Sequence, residues 1–222
     1  MKSPSCPLLP HGGYRKLRSY AVAEAIYDAT VVFCRRFYRG DRRMTDQMVQ
    51  AARSGVRNIS EASGAAATSR KSEMKLTNVA RASLADELLR DYESFLRNNG
   101  LPVWEKDSPA ALEMRGMLRR NQGPRPASGA PPRLNGLAGL ADFAARGAPE
   151  PVANAMICAI HQAAYLLWRQ IRSQEKAFLE KGGFTENLYR SRSRARAGSG
   201  NPRPERIKSS RWDRWKRLPG HD

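Results

Sequence analysis

Residues 44–62 read MTDQMVQAARSGVRNISEA, and this stretch predicts a helix with one apolar face. Its apolar residues recur every three or four positions, the spacing of an amphipathic helix: Met48, Ala52, Val56 and Ile59. Thr45 is a favourable N-cap residue, so we expect the helix to cover residues 45–63. Ala51 and Gly55 lie beside the stripe and are small enough to let a neighbouring helix come close.

A second helix is predicted directly after a loop of small residues at positions 63–69. Residues 70–99 contain no glycine or proline, and Gly100 followed by Pro102 is a typical C-terminal stop. The predicted buried stripe of this helix, over residues 69–98, is Leu76, Ala80, Leu84, Leu88, Tyr92 and Phe95, with Val79 and Leu89 at its edges. Helices joined by a short loop pack antiparallel, so the two form a helical hairpin.

Two further helices flank the hairpin. The first covers residues 19–39, with Ser19 as its cap and with Val22, Ile26, Ala29, Phe33 and Phe37 as its stripe. The last covers residues 151–181, with Ile157, Ile160, Ala164, Leu167, Ile171 and Phe178 as its stripe. This helix is apolar nearly all round over residues 155–168, which predicts burial on more than one side, either at a subunit interface or beneath other parts of the chain.

The complete prediction is an all-α, up-down four-helix bundle with an irregular insert before the last helix and a disordered basic C-terminal tail. Its parts are an irregular N-terminal arm (1–17), the first three bundle helices (18–100), an insert or crossover with short helices (101–149), the last bundle helix with a suffix (150–189) and the tail (190–222). Within the insert, Ser108-Pro109 predicts the start of a short helix at 110–120. Residues 123–133 read as a flexible linker and residues 134–146 as another short helix.

The first helix of the hairpin also carries a recognisable pattern: Gln47, then Arg53-Ser54 after Ala51-Ala52, then Asn58-Ile59-Ser60-Glu61. This pattern resembles the signature of the four-helix bundle protein family. The family includes proteins encoded in intervening sequences of large-subunit ribosomal RNA genes and the accessory variability proteins of diversity-generating retroelements. The most specific similarity, over residues 9–17, 19–104 and 154–192, is to the four helix bundle suffix domain branch.

The resemblance implies a homo-oligomer, a pentamer, that is not itself catalytic and whose basic surface assists a partner enzyme. In the retroelement case the partner is a reverse transcriptase with its template RNA. Ser60 and Ala62 stand where the common family pattern has Ala and Gly, and residues 108–149 resemble nothing in the family.

The charge of the chain favours an anionic partner, either nucleic acid or an anionic membrane surface. Its 222 residues include 39 Lys and Arg against 21 Asp and Glu, a formal charge of +18. Residues 190–222 hold 11 of the basic and 3 of the acidic residues, so they contribute +8 and residues 1–189 contribute +10. We therefore expect the helical body to bind RNA or DNA and the tail to strengthen that binding.

The candidate nucleic-acid-binding residues are cationic or aromatic. They are Arg35, Arg36, Arg39, Arg53, Arg57, Arg70, Lys71, Lys75, Arg81, Arg190, Arg192, Arg194, Arg196, Trp212 and Trp215. Arg70, Lys71 and Lys75 place positive charge near the start of their helix, where the helix dipole disfavours it. This placement indicates that a requirement other than helix stability applies to these positions. Trp212 and Trp215 lie among tail cations, where rings stack on bases while cations contact phosphates. The alternative for each group is a solvated charged surface or a solubilising tail.

The sequence lacks catalytic and metal-binding patterns. No histidine belongs to a Glu-x-x-His pair of the di-iron type, and Cys6, Cys34 and Cys158 have no metal-type spacing. We therefore expect neither enzyme activity nor a cofactor. The cysteines suit a reducing cytoplasm. The longest apolar run, residues 155–168, is shorter than the about 20 residues that span a bilayer, so we expect no membrane partner.

Two functions remain open at this point. The first is a nucleic-acid-binding bundle, and the alternative is a protein-interaction scaffold whose positive charge serves solubility or association with a membrane surface. Steeply salt-dependent binding to RNA or DNA would favour the first, and no binding at low salt would favour the second.

Overall fold

The computed structural model describes residues 13–119, 134 and 136–198, and every regular element in that part of the chain is helical. The α-helices are α1 (Arg18–Phe37), α2 (Arg42–Ala65), α3 (Arg70–Ala82), α4 (Leu89–Asn98), α5 (Pro109–Arg119), α6 (Leu140–Arg146), α7 (Pro149–Lys181) and α8 (Phe184–Gly198). A π-helical turn, Ser83–Leu88, joins α3 to α4, and 3-10 turns at Tyr14–Lys16 and Leu137–Gly139 precede α1 and α6. The predicted all-α class is confirmed for these residues.

The chain divides into two compact units after Phe184. In the first unit, α2 packs against both α1 and α3, and α7 packs against α1, α3 and α4. Helix α6 packs on α1, and α5 packs on α7. The second unit, which begins at Thr185, contains the remainder of α8.

Two predicted N-caps are wrong, because other residues occupy those positions. Helix α1 begins at Arg18, and the hydroxyl of Ser19 donates a hydrogen bond to Gln170 Oε1 at 2.9 Å. Helix α2 begins three residues before Thr45, because Asp41 is its cap and accepts a 2.8 Å hydrogen bond from the Met44 backbone N–H. Aspartate is at least as good a cap as threonine, so the helix gains almost a turn.

The predicted helix ends agree better with the structure. Gly100 and Gly182 follow α4 and α7 with φ of 65° and 69°, left-handed conformations that favour glycine. Ser108 caps α5, since its hydroxyl accepts from the Ala111 backbone N–H at 3.3 Å. Helix α6 is shorter than the predicted 134–146, and the predicted linker at 123–133 lies outside the described residues.

The expected disorder of the tail is wrong for residues 190–198, which belong to α8. Arginine and alanine both favour helices, and neither glycine nor proline interrupts residues 184–197. Residues 199–222 and most of the predicted N-terminal arm, residues 1–12, lie outside the described part of the chain.

The predicted apolar stripes contribute many residues to the core of the first unit. Fully or almost fully buried are Val22, Ile26, Ala29 and Phe33 of α1, Met48, Ala52 and Ile59 of α2, and Ala80, Leu84, Leu88, Tyr92 and Phe95 of the α3–α4 segment. The ring of Phe33 lies at its centre, 4.8 Å between centroids from each of Tyr92 and Phe95. The hydroxyl of Tyr92 is satisfied by Thr30 Oγ1 at 3.0 Å.

The stripe prediction is wrong in the first turns of α3, where polar side chains are buried. Leu76 is half-buried, whereas Glu73 and Thr77 are buried. Gln174 of α7 donates to Glu73 Oε1 at 3.0 Å and to Thr77 Oγ1 at 3.1 Å, and Arg70 donates to Glu73 Oε2 at 2.8 Å. The buried carboxylate is therefore both paired and hydrogen-bonded, as its burial requires.

The predicted burial of α7 on more than one side is confirmed, and the chain itself provides the cover. All residues from 152 to 160 are buried, with α1, α3, α4 and α5 packed around the helix. Trp104 adds to this cover: its backbone N–H donates to Asn154 Oδ1 at 2.8 Å and its indole N–H to Glu150 Oε1 at 2.9 Å. This part of α7 therefore needs no second subunit to explain its composition.

The expected close approach at Gly55 is also present. A Cβ atom at Gly55 would lie 2.7 Å from both Cγ and Cδ2 of Leu84, in the π-helical turn. One residue earlier, the hydroxyls of Ser54 and Ser83 are 2.9 Å apart, and Asn58 donates to Ser54. The missing side chain and the polar contact together set the register of α2 against α3.

Two glycine-to-alanine variants in α2 test this approach. Gly55→Ala should be less stable than Gly64→Ala by about 1–3 kcal/mol, the usual cost of overpacking. Gly64 is the control in the same helix because it is exposed with nothing within 4 Å of an added Cβ, so its substitution changes helix propensity without a clash. Urea unfolding of both proteins measures the difference, and equal stabilisation would contradict the close packing.

Candidate nucleic-acid interface

Four exposed cations lie on α2 and α3, and we call them the α2–α3 basic surface: Arg53, Arg57, Lys71 and Lys75. Arg53, Lys71 and Lys75 make no hydrogen bond or ion pair with any residue that the structure describes. Arg57 lies 3.9 Å from Glu61, and both side chains are more than half exposed. Such a surface pair contributes about 0–1 kcal/mol, so Arg57 remains free to contact another anion.

The contact between Ser54 and Ser83 places these cations along the two antiparallel helices. Arg57 lies three residues further along α2, level with Ala80 and therefore close to the height of Arg81. Lys75 and Lys71 lie nearer the loop that joins the helices, about 8 and 14 Å from the level of Ala80. At 1.5 Å per residue the surface extends for about 20 Å along the two helices, which suits an extended polyanion.

Two of the predicted phosphate-binding arginines instead make structural contacts within the chain. The Arg70 side chain is 20% exposed because it pairs with Glu73. Arg36 donates to the backbone oxygens of Ala144 and Gly147, at 3.1 and 2.5 Å, and so holds the junction of α6 and α7. A third arginine, Arg81, is partly engaged, with Asn78 Oδ1 at 3.2 Å and Asp86 at 3.9 Å.

The other predicted cations are not brought together with this surface. Arg35 and Arg39 are exposed at the end of α1, which connects to the start of α2. Arg57 lies 15 residues after Arg42, a separation of about 22 Å along the helix. Arg35 and Arg39 therefore lie near the start of α2, whereas Arg53 and Arg57 lie at its middle and in its second half.

The tail arginines lie on both sides of α8. Residues two apart are separated by about 200° around a helix, so Arg190 and Arg194 lie on one side and Arg192 and Arg196 on the other. Trp212 and Trp215 lie outside the described residues.

Sequence reasoning missed an exposed aromatic pair on α7. Tyr165 and Trp168 are 57% and 53% exposed, and their rings are stacked with centroids 6.3 Å apart. The Arg169 guanidinium lies 6.0 Å from the Tyr165 ring. Both aromatics belong to the apolar run at 155–168, whose composition predicts burial on more than one side of the helix. Their positions around the helix, about 160° (Tyr165) and 100° (Trp168) from the stripe residue Leu167, are the signal that both point away from the stripe.

The two described cysteines are buried in the core of the first unit. Burial raises the pKa of the Cys34 thiol to about 12 and also raises the pKa of Cys158, which disfavours their reactive thiolate forms. Desolvation lowers the pKa of His161. Within the part of the chain that the structure covers, no three histidine, cysteine or acidic side chains are placed to hold a metal ion. No helix among these residues is long and apolar enough to cross a bilayer.

No protein-family model, curated protein or solved structure shows significant similarity to this chain. The family suggested by residues 47–61 therefore remains an inference from the sequence pattern. Evidence about function comes from the surfaces that the helices present.

Proposed function

We propose that this chain is a non-catalytic nucleic-acid-binding protein whose helical body contacts the phosphate backbone through the α2–α3 basic surface. The observation that supports it best is the presence of exposed cations without strong partners on two adjacent helices. Structural ion pairs do not account for Arg53, Lys71 and Lys75, and the body retains a net charge of +10 without its tail. Lysine and arginine contacts to phosphate give affinity without base specificity, so both RNA and DNA are suitable ligands.

We further propose that the helices form an up-down four-helix bundle with residues 101–149 as an insert. The packing of α1 on α2, of α2 on α3, of the α3–α4 segment on α7 and of α7 on α1 supports this ring. Two contacts support an antiparallel arrangement of α1 and α7: Ser19 near the start of α1 donates to Gln170 of α7, while Arg36 near the end of α1 donates to the backbone oxygen of Gly147, just before α7. The sequence pattern of residues 47–61 supports membership of the four-helix bundle family.

The same resemblance supports a role as an accessory factor to a reverse transcriptase of a diversity-generating retroelement. A reverse transcriptase gene beside the gene for this chain would strengthen that assignment. A reducing cytoplasm suits the free buried thiols of Cys34 and Cys158.

Assembly into a homo-oligomer, a pentamer, rests on the resemblance alone, because α7 is covered by its own chain at residues 152–160. Light scattering at micromolar concentration should show a species of several times the 24.8 kDa monomer. A pentamer would repeat the α2–α3 basic surface and so increase avidity for a long polyanion. A monomer at all concentrations tested would remove the pentamer and leave the binding proposal intact.

Salt titration of the whole chain tests the proposed binding. Fluorescence anisotropy with a labelled 20-nucleotide RNA and its DNA counterpart should give log affinity that falls linearly with log salt concentration. Each phosphate contact should add about 0.7–0.9 to the slope. An absence of binding at low salt would contradict the proposal and would favour the interaction scaffold.

A further inference from the structure

The exposed aromatic pair on α7 is the feature that the proposed backbone contacts leave unexplained. Tyr165 and Trp168 each expose more than half of their surface, and their rings are nearly parallel, with 23° between the planes. Aromatic side chains of this size dominate core and interface energetics when they are buried. Here the two rings are held against each other in the free protein, one turn apart on a long helix.

The pair lies where α7 leaves the cover of its own chain. Residues 152–160 of the helix are buried, and beyond them only the stripe that faces α1 and α3, including Leu167 and Gln174, stays buried. Around the helix, Tyr165 lies about 160° and Trp168 about 100° from the stripe residue Leu167. The rings are therefore not part of the core and are open to a ligand.

The charges beside the pair indicate the kind of ligand. Helix α7 has no acidic residue between Glu150 and Glu175, and Arg169 and Arg172 share the face of the two rings. Arg169 makes no ion pair with a described residue, and its guanidinium lies near the Tyr165 ring. Arg172 pairs with Glu175 at 3.1 Å, but both side chains are about half exposed or more. The site thus presents stacked rings and a free cation without a strong anion.

We propose that Tyr165 and Trp168 form a stacking site for unpaired bases of single-stranded nucleic acid, with Arg169 contacting the adjacent phosphate. Stacking on aromatic rings next to cations binds single strands with little dependence on sequence, since every base has a flat face. Bases within a duplex are already stacked and cannot enter such a site. This inference rests on the proposed function and adds to it a preference for single strands.

A second copy of the chain fits the same patch less well. A two-fold interface places a surface against itself, so Arg169 and Arg172 of both copies would meet without an acidic partner on that face. A polyanion, in contrast, neutralises these charges.

The test compares a Tyr165→Ala/Trp168→Ala double variant with the full-length parent. The probes are a mixed-sequence 20-nucleotide single-stranded RNA and the duplex of the same sequence, at one fixed salt concentration. Affinity for the single strand should fall by about 10- to 100-fold, and affinity for the duplex by less than about threefold. The salt slope should stay unchanged, because the substituted side chains are neutral. The single variant Trp168→Phe keeps a ring at both positions and should retain most of the parent's affinity for the single strand.

The controls separate failure of this inference from failure of the proposed function. Leu112→Ala removes another exposed apolar side chain, on α5, and should leave both affinities unchanged. Equal single-strand affinity of parent and double variant, with salt-dependent binding retained, overturns the stacking site and leaves the α2–α3 basic surface standing. Equal loss of single-strand and duplex binding together with a smaller assembled mass overturns it in favour of self-association. A parent that binds neither probe overturns both proposals.

Discussion

Replacing Leu84 by alanine should lower the free energy of unfolding by about 2–5 kcal/mol, the usual range for truncating a buried leucine. Leu84 is fully buried in the π-helical turn and packs directly over Gly55, where α2 comes closest. Truncation leaves a cavity between two helices whose register is also fixed by the adjacent Ser54–Ser83 contact, so the site has little freedom to collapse. Urea unfolding followed by circular dichroism measures the change.

Leu112→Ala is the control for this prediction. Leu112 is 52% exposed on α5, so its truncation should change stability by less than about 0.5 kcal/mol. The effects of substituting Leu84 and Gly55 should not be additive. In the Leu84→Ala background, Gly55→Ala should no longer be destabilising, because the leucine side chain that the added Cβ would clash with is gone. A Leu84→Ala cost no larger than that of Leu112→Ala would show that Leu84 is not a core residue.

Neutralising the α2–α3 basic surface should produce the largest loss of binding. The quadruple variant Arg53→Ser, Arg57→Ser, Lys71→Ser and Lys75→Ser should bind a 20-nucleotide RNA about 10³-fold more weakly at 0.1 M salt. This figure follows from losing four contacts, each worth about a factor of 5–8 at that salt concentration. The helices should persist, since all four side chains are exposed and none has a strong partner. Anisotropy titration measures the affinity, and circular dichroism confirms folding.

A second quadruple variant controls for net charge alone. It replaces four exposed cations of α4, α5 and the segment between them: Arg90→Ser, Arg97→Ser, Lys106→Ser and Arg119→Ser. Both variants lose the same formal charge. If the position of the cations determines binding, the control variant should lose much less affinity for the RNA. Equal losses would show that total charge, and not the α2–α3 basic surface, governs binding.

The hairpin at the centre of the fold was predictable because its packing follows local apolar spacing. Met48, Ala52 and Ile59 are all buried, as their spacing indicates. Apolar spacing does not predict the burial of Glu73, because that burial depends on Gln174, 101 residues further along the chain. A polar partner on a distant helix leaves no periodic signal near Glu73. The π-helical turn at Ser83–Leu88 likewise interrupts the single helix predicted over residues 69–98.

The sequence predicts which residues of the candidate site are cationic, but it does not predict which of them lack a structural partner. The sequence identifies cations, and exposure is the default state of lysine and arginine, so Arg53, Lys71 and Lys75 lie at the surface as expected. Whether an arginine already has a partner depends on contacts with other parts of the chain. The sequence therefore predicts Arg36 and Arg70 as binding residues, whereas the structure shows them in structural contacts. Tyr165 and Trp168 were missed for the opposite reason, since an apolar run predicts burial on average and not for each side of the helix.

Parallel salt titrations of the full-length chain and the Arg53/Arg57/Lys71/Lys75 variant test the binding proposal most directly. Both proteins are titrated against the same 20-nucleotide RNA, and log affinity is plotted against log salt concentration. The parent should show the steeper line, with a slope about 3 units greater in magnitude, because four phosphate contacts are lost in the variant. Two parallel lines would contradict a phosphate-binding role for the α2–α3 basic surface.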